Sequence, residues 1–190
     1  MAEPFDLAPA ARRVADVAAG IRDDQLDGPT PCPDYSVSVL LTHVLGLATA
    51  FRDAAHKVGQ SMPPQAALAD GLDPDWRTKL PVRLDELVTA WRAPDAWTGM
   101  TEAGGVSLPG DIAGIVATDE LVIHGWDLAR ATGQQYDCDP ETTQVIFGFT
   151  QQSAEAGSEG VFGPPVEVPE NAPLFDRALG YAGRDPAWRP

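Results

Sequence analysis

Ile112-Ala113-Gly114-Ile115-Val116-Ala117-Thr118-Asp119-Glu120-Leu121-Val122-Ile123-His124-Gly125-Trp126-Asp127-Leu128-Ala129-Arg130 is the stretch on which the fold turns. Wound at 3.6 residues per turn, it puts Ala113, Ala117, Glu120, His124 and Ala131 on one side of a helix. Ile112, Ile115, Val116, Ile123 and Trp126 cover the adjoining face, so a carboxylate and an imidazole sit at the edge of an apolar surface rather than in solvent. Small residues on the Glu120/His124 side leave room for another helix, or a cavity, to come close. The spacing predicts a helix from about Asp111 to Ala131, closed by Gly133. Asp119 falls on the apolar face, so either it serves a buried interaction or the rotation assigned to this helix is wrong.

Outward from this helix the pattern stays helical. Leu7, Ala11, Val14, Ala15, Ala18 and Ile21 mark a first helix over Leu7 to Ile21. Gly28-Pro29-Thr30-Pro31-Cys32-Pro33-Asp34 cannot be regular structure, because its prolines fix φ and remove donors. Ser36 then caps a second helix carrying Val39, Leu40, His43, Val44, Leu47 and Phe51 and running to about Lys57. The region from Ser61 to Trp76 reads as loop with one short helical piece, and Arg83 to Trp91 as a third helix. Between Trp97 and Gly110, rich in Gly and Thr, lies a short extended piece. Asp139-Pro140 starts a fifth helix, reaching to near Ala156, with an Asp cap and proline at the first helical position. The proline-rich end contains one short helix from Leu174 to Tyr181. With helices dominant and strands nearly absent, the class is all-α: an antiparallel helical bundle with long loops and a Pro-rich C-terminal wrap.

Composition narrows the function classes. The 190 residues carry 13 Lys+Arg against 28 Asp+Glu, a formal charge of -15, and a field of that sign repels phosphate backbones. Nucleic acid is therefore not an expected partner. Hydrophobic residues at 44% suffice for a core and argue against a disordered acidic tail. No run of apolar residues of spanning length, no signal-peptide pattern and only two cysteines point to no membrane, no secretory framework and a cytoplasmic location. A G-x-S-x-G elbow and a phosphate-binding G-x-x-x-x-G-K loop are both lacking, and Gly104-Gly105 lies in a loop without a dinucleotide fingerprint.

Three histidines remain as carriers of chemistry. His43 lies between Leu40 and Leu47 on the same stripe, either as a core histidine satisfied by one partner or as a ligand. Glu120 and His124, facing an imidazole from a second helix, have the donor types that hold a divalent metal, zinc foremost, with nickel or iron as other choices. Three protein ligands would leave one position open for water or substrate. A buried Glu–His hydrogen bond, with His43 elsewhere in the core, fits the same spacing. Asp127, three beyond His124, can orient that imidazole. His56 is expected exposed at a helix end, and Cys32 reads as a small packed residue in the loop entering the second helix rather than a nucleophile.

Two blocks resemble a known family. Thr30-Pro31-Cys32-Pro33-Asp34-Tyr35-Ser36 with Leu40-Leu41-Thr42-His43-Val44-Leu45-Gly46, and Glu120 through Gly133, look like actinobacterial DinB-like proteins related to the N-terminal domain of mycothiol-dependent maleylpyruvate isomerase. Phe162-Gly163-Pro164-Pro165-Val166, Ala172-Pro173-Leu174 and Gly183-Arg184-Asp185-Pro186 resemble the tail of a short subgroup, so the resemblance covers nearly the whole chain. It implies a DinB-like four-helix bundle over residues 1–190 as one domain, with a core at about 6–156 and an extension at 157–190. It also implies one divalent metal held by His43, Glu120 and His124, with mycothiol as co-substrate. The isomerase has an additional C-terminal domain that 190 residues leave no room for, so the ligand set transfers well and the isomerisation reaction poorly, leaving a thiol transferase or an isomerase-like enzyme as the expectation. The expected activity is a metal-dependent thiol S-transferase acting on an electrophilic small molecule. A metal-assisted hydrolase and a non-enzymatic, stress-related metal- or small-molecule-binding protein are the alternatives. Pairing into a homodimer through an exposed bundle face is a further expectation, with no residue to carry it.

Overall fold

The computed structural model describes residues 4–33, 35–59, 71–157 and 162–190. Its elements, in chain order, are α1 (Ala8–Ala19), α2 (Val37–Ala55), α3 (Trp76–Trp91), β1 (Met100–Ala103), β2 (Val106–Pro109), α4 (Gly110–Ala131), α5 (Pro140–Glu155) and α6 (Leu174–Tyr181). Short 3-10 turns at Asp23–Gln25 and Pro94–Trp97 join them. The fold is mostly helical with little strand, consistent with a DinB-like helical fold. Both α1 and α2 pack on α3 and α4, while α5 lies between α4 and α6.

The helix starts follow the capping chemistry of the sequence. Ser36 accepts a hydrogen bond from the Val39 N–H at 3.4 Å to open α2, and Asp139 accepts from Thr142 N–H at 2.9 Å ahead of Pro140 in α5. Each satisfies a donor that a helix N-terminus otherwise leaves unpaired. α2 has the length and apolarity of a membrane span, 19 residues at a mean hydropathy of 1.2. Its Leu40, Leu41, Val44 and Ala48 are nevertheless fully enclosed by the other helices.

Two expectations need correction and one is sharpened. α3 starts at Trp76, not Arg83, and contains Pro81. Proline costs one helical hydrogen bond and crowds the preceding turn. Burial of Trp76 and Leu80 on the core outweighs that cost, each burying roughly 1.5–3 kcal/mol of apolar side chain. The extended piece before Pro109 is a two-stranded antiparallel hairpin, in register from Met100↔Pro109 to Ala103↔Val106. Its turn residues Gly104 and Gly105 both have positive φ, 60° and 80°, which a two-residue hairpin turn of this hand demands. Ile112 is 39% exposed rather than packed, because the buried side of α4 there is Ala113, Gly114 and Ala117. The short helical piece expected between Ser61 and Trp76 falls largely outside the described residues.

Two apolar clusters hold the chain. The main one joins α1 to α4, and in it Trp91 Nε1 donates to the Phe51 carbonyl at 3.0 Å and Trp97 Nε1 to the Trp91 carbonyl at 2.7 Å. A second, smaller cluster packs Ile123 and Trp126 of α4 against Leu179 and Ala182 near α6. Arg130 adds a hydrogen bond to the Pro186 carbonyl, tying the C-terminal segment onto the end of α4 that carries Glu120 and His124.

Candidate metal centre

Position on two packed helices brings the sequence's three candidates together. His43 projects from α2, Glu120 and His124 from α4, and one donor atom of each lies within 4.8 Å of the others. Glu120 Oε2 sits 3.0 Å from His124 Nε2 and 3.6 Å from His43 Nε2. The two imidazoles meet nearly at right angles, 83°, with centroids 4.9 Å apart. Donors bonded tetrahedrally to a zinc-sized ion at 2.0–2.2 Å stand about 3.4 Å apart, and the observed spacings bracket that value. The donor set, two neutral imidazole nitrogens and one carboxylate, suits zinc and also nickel or iron.

Behind His124 the structure builds a support. Asp127, fully buried, faces His124 Nδ1 at 3.0 Å. An Nδ1–H donated to a carboxylate leaves the Nε2 lone pair directed at Glu120 and His43, the tautomer a metal ligand needs. Asp127 is itself gripped by Arg184, whose Nε and Nη2 reach its two oxygens at 3.0 Å each in a fork. Arg184 is 6% exposed, and its Nη1 donates to the Ala182 carbonyl at 3.0 Å. Gly183 makes the turn that delivers it. Its φ of +74° and a backbone passing within 2.9 Å of where a Cβ would sit leave room only for glycine.

The charges follow from this geometry. Burial alone would favour neutral His124, but its bonds to Asp127 and Glu120 win and push its pKa up to about 9 without a metal. Burial works against the Glu120 carboxylate as well, and the two histidines overcome it and hold the carboxyl well below its usual range. The Glu120 side chain keeps 28% exposure, so the site opens to solvent on its side.

Asp119 resolves the conflict in the sequence. The rotation of α4 is right for Glu120 and His124, and Asp119 is truly buried, 3% exposed with Oδ1 lacking a hydrogen-bond partner. Burial pushes its carboxyl well above the usual range, with Glu120 adding to the effect and His124 and Arg184 opposing it. His56 is exposed at the C-cap of α2, as expected, and takes no part in the site.

Two neighbours come from the loop before α2. The Tyr35 ring packs edge-on against His43 at 5.6 Å. Cys32, Asp127 and His124 form a second group of possible donors within 4.8 Å. That group is the poorer metal site, because Asp127 is already committed to Arg184 and His124 Nδ1. Sequence reasoning had Asp127 but assigned no role to Arg184 or Tyr35, and it placed Cys32 as packing. Arg184 lies 57 residues beyond Asp127, so no local spacing signals it.

Comparison with known proteins agrees with this architecture. The chain is 34% identical over 184 residues to uncharacterized proteins of Mycobacterium tuberculosis strains CDC 1551 and H37Rv, covering 90% of this chain and 91% of each relative. The crystal structure of a mycothiol-dependent maleylpyruvate isomerase superposes with a TM-score of 0.70 at 19% identity, over 95% of this chain and 89% of that one. A histidine-to-alanine mutant of such an isomerase superposes at 0.62 and 20% identity, over 82% and 72%. Residues 7–129 match the family model described as the mycothiol maleylpyruvate isomerase N-terminal domain. With His43, Glu120 and His124 all inside that match, the chain belongs to the mycothiol maleylpyruvate isomerase N-terminal domain family.

Proposed function

We propose that this protein is a divalent-metal-dependent thiol S-transferase that joins a low-molecular-weight thiol of the mycothiol type to an electrophilic small molecule. The helices α1 to α4 are read as the antiparallel DinB-type bundle that carries the site, with His43, Glu120 and His124 holding zinc. The observation that carries the reading is the His43–Glu120–His124 donor set backed by Asp127 and Arg184, and membership of the family gives the thiol its class. A divalent cation there would supply positive charge that lowers the pKa of a thiol brought to it.

The chain's own residues do the rest. Asp127 keeps the proton on His124 Nδ1, and Arg184 holds Asp127 in place through two hydrogen bonds. Glu120 offsets the cation's charge, and its exposed edge admits the two reactants. Tyr35, whose hydroxyl burial and the Cys32 and Glu120 charges hold in the protonated form, offers a proton donor beside His43.

The test is conjugation of monochlorobimane or a nitro-aromatic acceptor by the zinc-loaded protein with mycothiol, against glutathione and bacillithiol. Metal-dependent consumption of mycothiol supports the reading. No thiol consumption with any of the three overturns it.

A further inference from the structure

All 13 Lys and Arg of the chain lie within the described residues, and none of them bonds to His43, Glu120 or His124. Arg184 reaches the centre only from behind His124, with its fork spent on Asp127. Lys57 sits at the other end of α4, where its Nζ donates to the Ala96 carbonyl beside Gly110, on the order of 15 Å along the helix from Glu120. Arg52 of α2 is turned toward Asp53 and Glu86. A divalent ion's two charges are matched by the Glu120 carboxylate and one thiolate. A carboxylate on the acceptor would therefore enter without a counter-charge, on a chain whose formal charge is already -15.

The open side of the centre is apolar. α2 and α4 run antiparallel, since His43 meets Glu120 while Lys57 reaches Gly110. On the partly exposed edge of α4, Val116 and Ile112 stand one and two turns before Glu120. On the facing edge of α2, Gly46 and Ala50, both half-buried, stand one and two turns beyond His43. Further along α4 the apolar edge is covered, where Leu179 and Ala182 pack on Ile123 and Trp126. Tyr35, half-buried, adds an aromatic ring 5.6 Å from that of His43.

We infer that the acceptor substrate is an uncharged electrophile with an apolar or aromatic body, seated on the α2–α4 edge beside the centre, and that carboxylate-bearing acceptors are rejected. The inference rests on the thiol-transferase reading and gives that reading its substrate class. Two effects of the same sign produce the selection. A carboxylate gives up water against Val116 and Ile112, and it meets the Glu120 carboxylate where a cation would be needed. A neutral ring sheds no charge hydration and gains contact with the same two side chains and with Tyr35. With a chloronitroaromatic acceptor, the thiol sulfur bonds to the ring carbon and the C–Cl bond breaks. Chloride leaves with the electron pair, the thiol proton passes to solvent, and no oxidant or reductant is required.

The test pairs 1-chloro-2,4-dinitrobenzene with 4-chloro-3,5-dinitrobenzoate as acceptors for mycothiol on the zinc-loaded full chain, each rate divided by its uncatalysed rate. The neutral acceptor should be favoured about tenfold or more in kcat/KM, chiefly through KM. Val116→Arg and Ile112→Arg each place a cation on the edge and should narrow that ratio about tenfold, with zinc content unchanged. Ile112 is already 39% exposed, so its variant keeps the test alive should Val116→Arg misfold. Ligand-observed NMR with the unreactive pair 1,3-dinitrobenzene and 3,5-dinitrobenzoate reads the same preference without turnover. Equal relative rates for the two acceptors, or a ratio unmoved in every folded arginine variant, overturns the inference and leaves the transferase reading standing. Selective binding of 1,3-dinitrobenzene, weakened by Ile112→Arg, on a protein that consumes no thiol refutes the transferase reading and keeps the neutral ligand class. Neither binding nor conjugation of any of the four compounds overturns both.

Discussion

The two halves of α4 solve opposite problems on one helix. From Gly110 to Thr118 the buried residues are small, and two tryptophans fill the space beside them. A Cβ on Gly114 would lie 2.5 Å from the Trp97 ring and 3.0 Å from that of Trp91. From Asp119 to Ala131 the buried set includes Asp119, His124 and Asp127. The first half is specified by shape and stabilised by contact area, while the second adds to its apolar packing a set of buried charged groups, of which His124 and Asp127 depend on their partners. The same backbone thus carries a close-packed support at one end and the charged cluster at the other.

The largest effect expected at the charged end is loss of metal. His43→Ala and His124→Ala should each bring zinc, measured by elemental analysis after dialysis, from about one ion per chain to near none. Wild-type metal content in both variants would remove the triad from consideration. Asp127→Asn should follow, since it strands Arg184 in the interior without its counter-charge. A loss of about 3–5 kcal/mol in denaturant unfolding is expected, together with a 10–100-fold weaker zinc affinity. The pair Asp127→Leu with Arg184→Met should be less destabilised than Asp127→Asn, because no lone charge is left behind. Equal effects of single and double changes would show that the fork contributes nothing.

Acidity separates the two halves as well. In metal-free protein the folded pKa of His124, pushed up to about 9, exceeds its unfolded value near 6.5. Its stabilisation is therefore fully present below about pH 6.5 and is lost as pH rises through about 9, on the order of 3 kcal/mol at most. Glu120 has the opposite sign: its contribution is present above about pH 4.5 and is lost as pH falls toward its lowered folded value. Thermal melts of apo-protein should therefore be highest between those limits, and zinc affinity should climb from pH 6 to 9 as the metal competes with the His124 proton. A flat melting profile from pH 6 to 10 would contradict this coupling.

At the shape-determined end the effects are smaller. Gly114→Ala should cost about 1–3 kcal/mol through crowding against Trp97, despite roughly 1 kcal/mol of better helix propensity. It should lower the whole pH profile without changing its shape, and leave zinc content untouched. An altered pH profile would mean that the two halves are coupled.

Much of this was legible along the chain. The Ser36 and Asp139 caps, the Glu120–His124 pair and the stripe carrying His43 are local signals, because caps and i, i+4 spacings act within one turn of backbone. Pro81 hid the first turns of α3, since proline usually ends helices and only the burial of Trp76 and Leu80 reverses that preference. Asp119, which the spacing left as either a buried interaction or an error of rotation, is a buried carboxyl on an α4 whose adjoining Ile123 and Trp126 lie under Leu179 and Ala182. The family match ends at residue 129, so Arg184 lies beyond it although it completes the support of His124.

The amino-acid order alone determined that the chain would form amphipathic helices, and which face of each would carry an imidazole or a carboxylate, because those properties depend on neighbours within four residues. Only the tertiary structure decided that His43 meets Glu120 and His124, that Arg184 closes on Asp127, and that Cys32 stands beside them. Those meetings depend on how helices and loops far apart in the chain pack, and the free energy of that packing belongs to the assembled core and to no single segment.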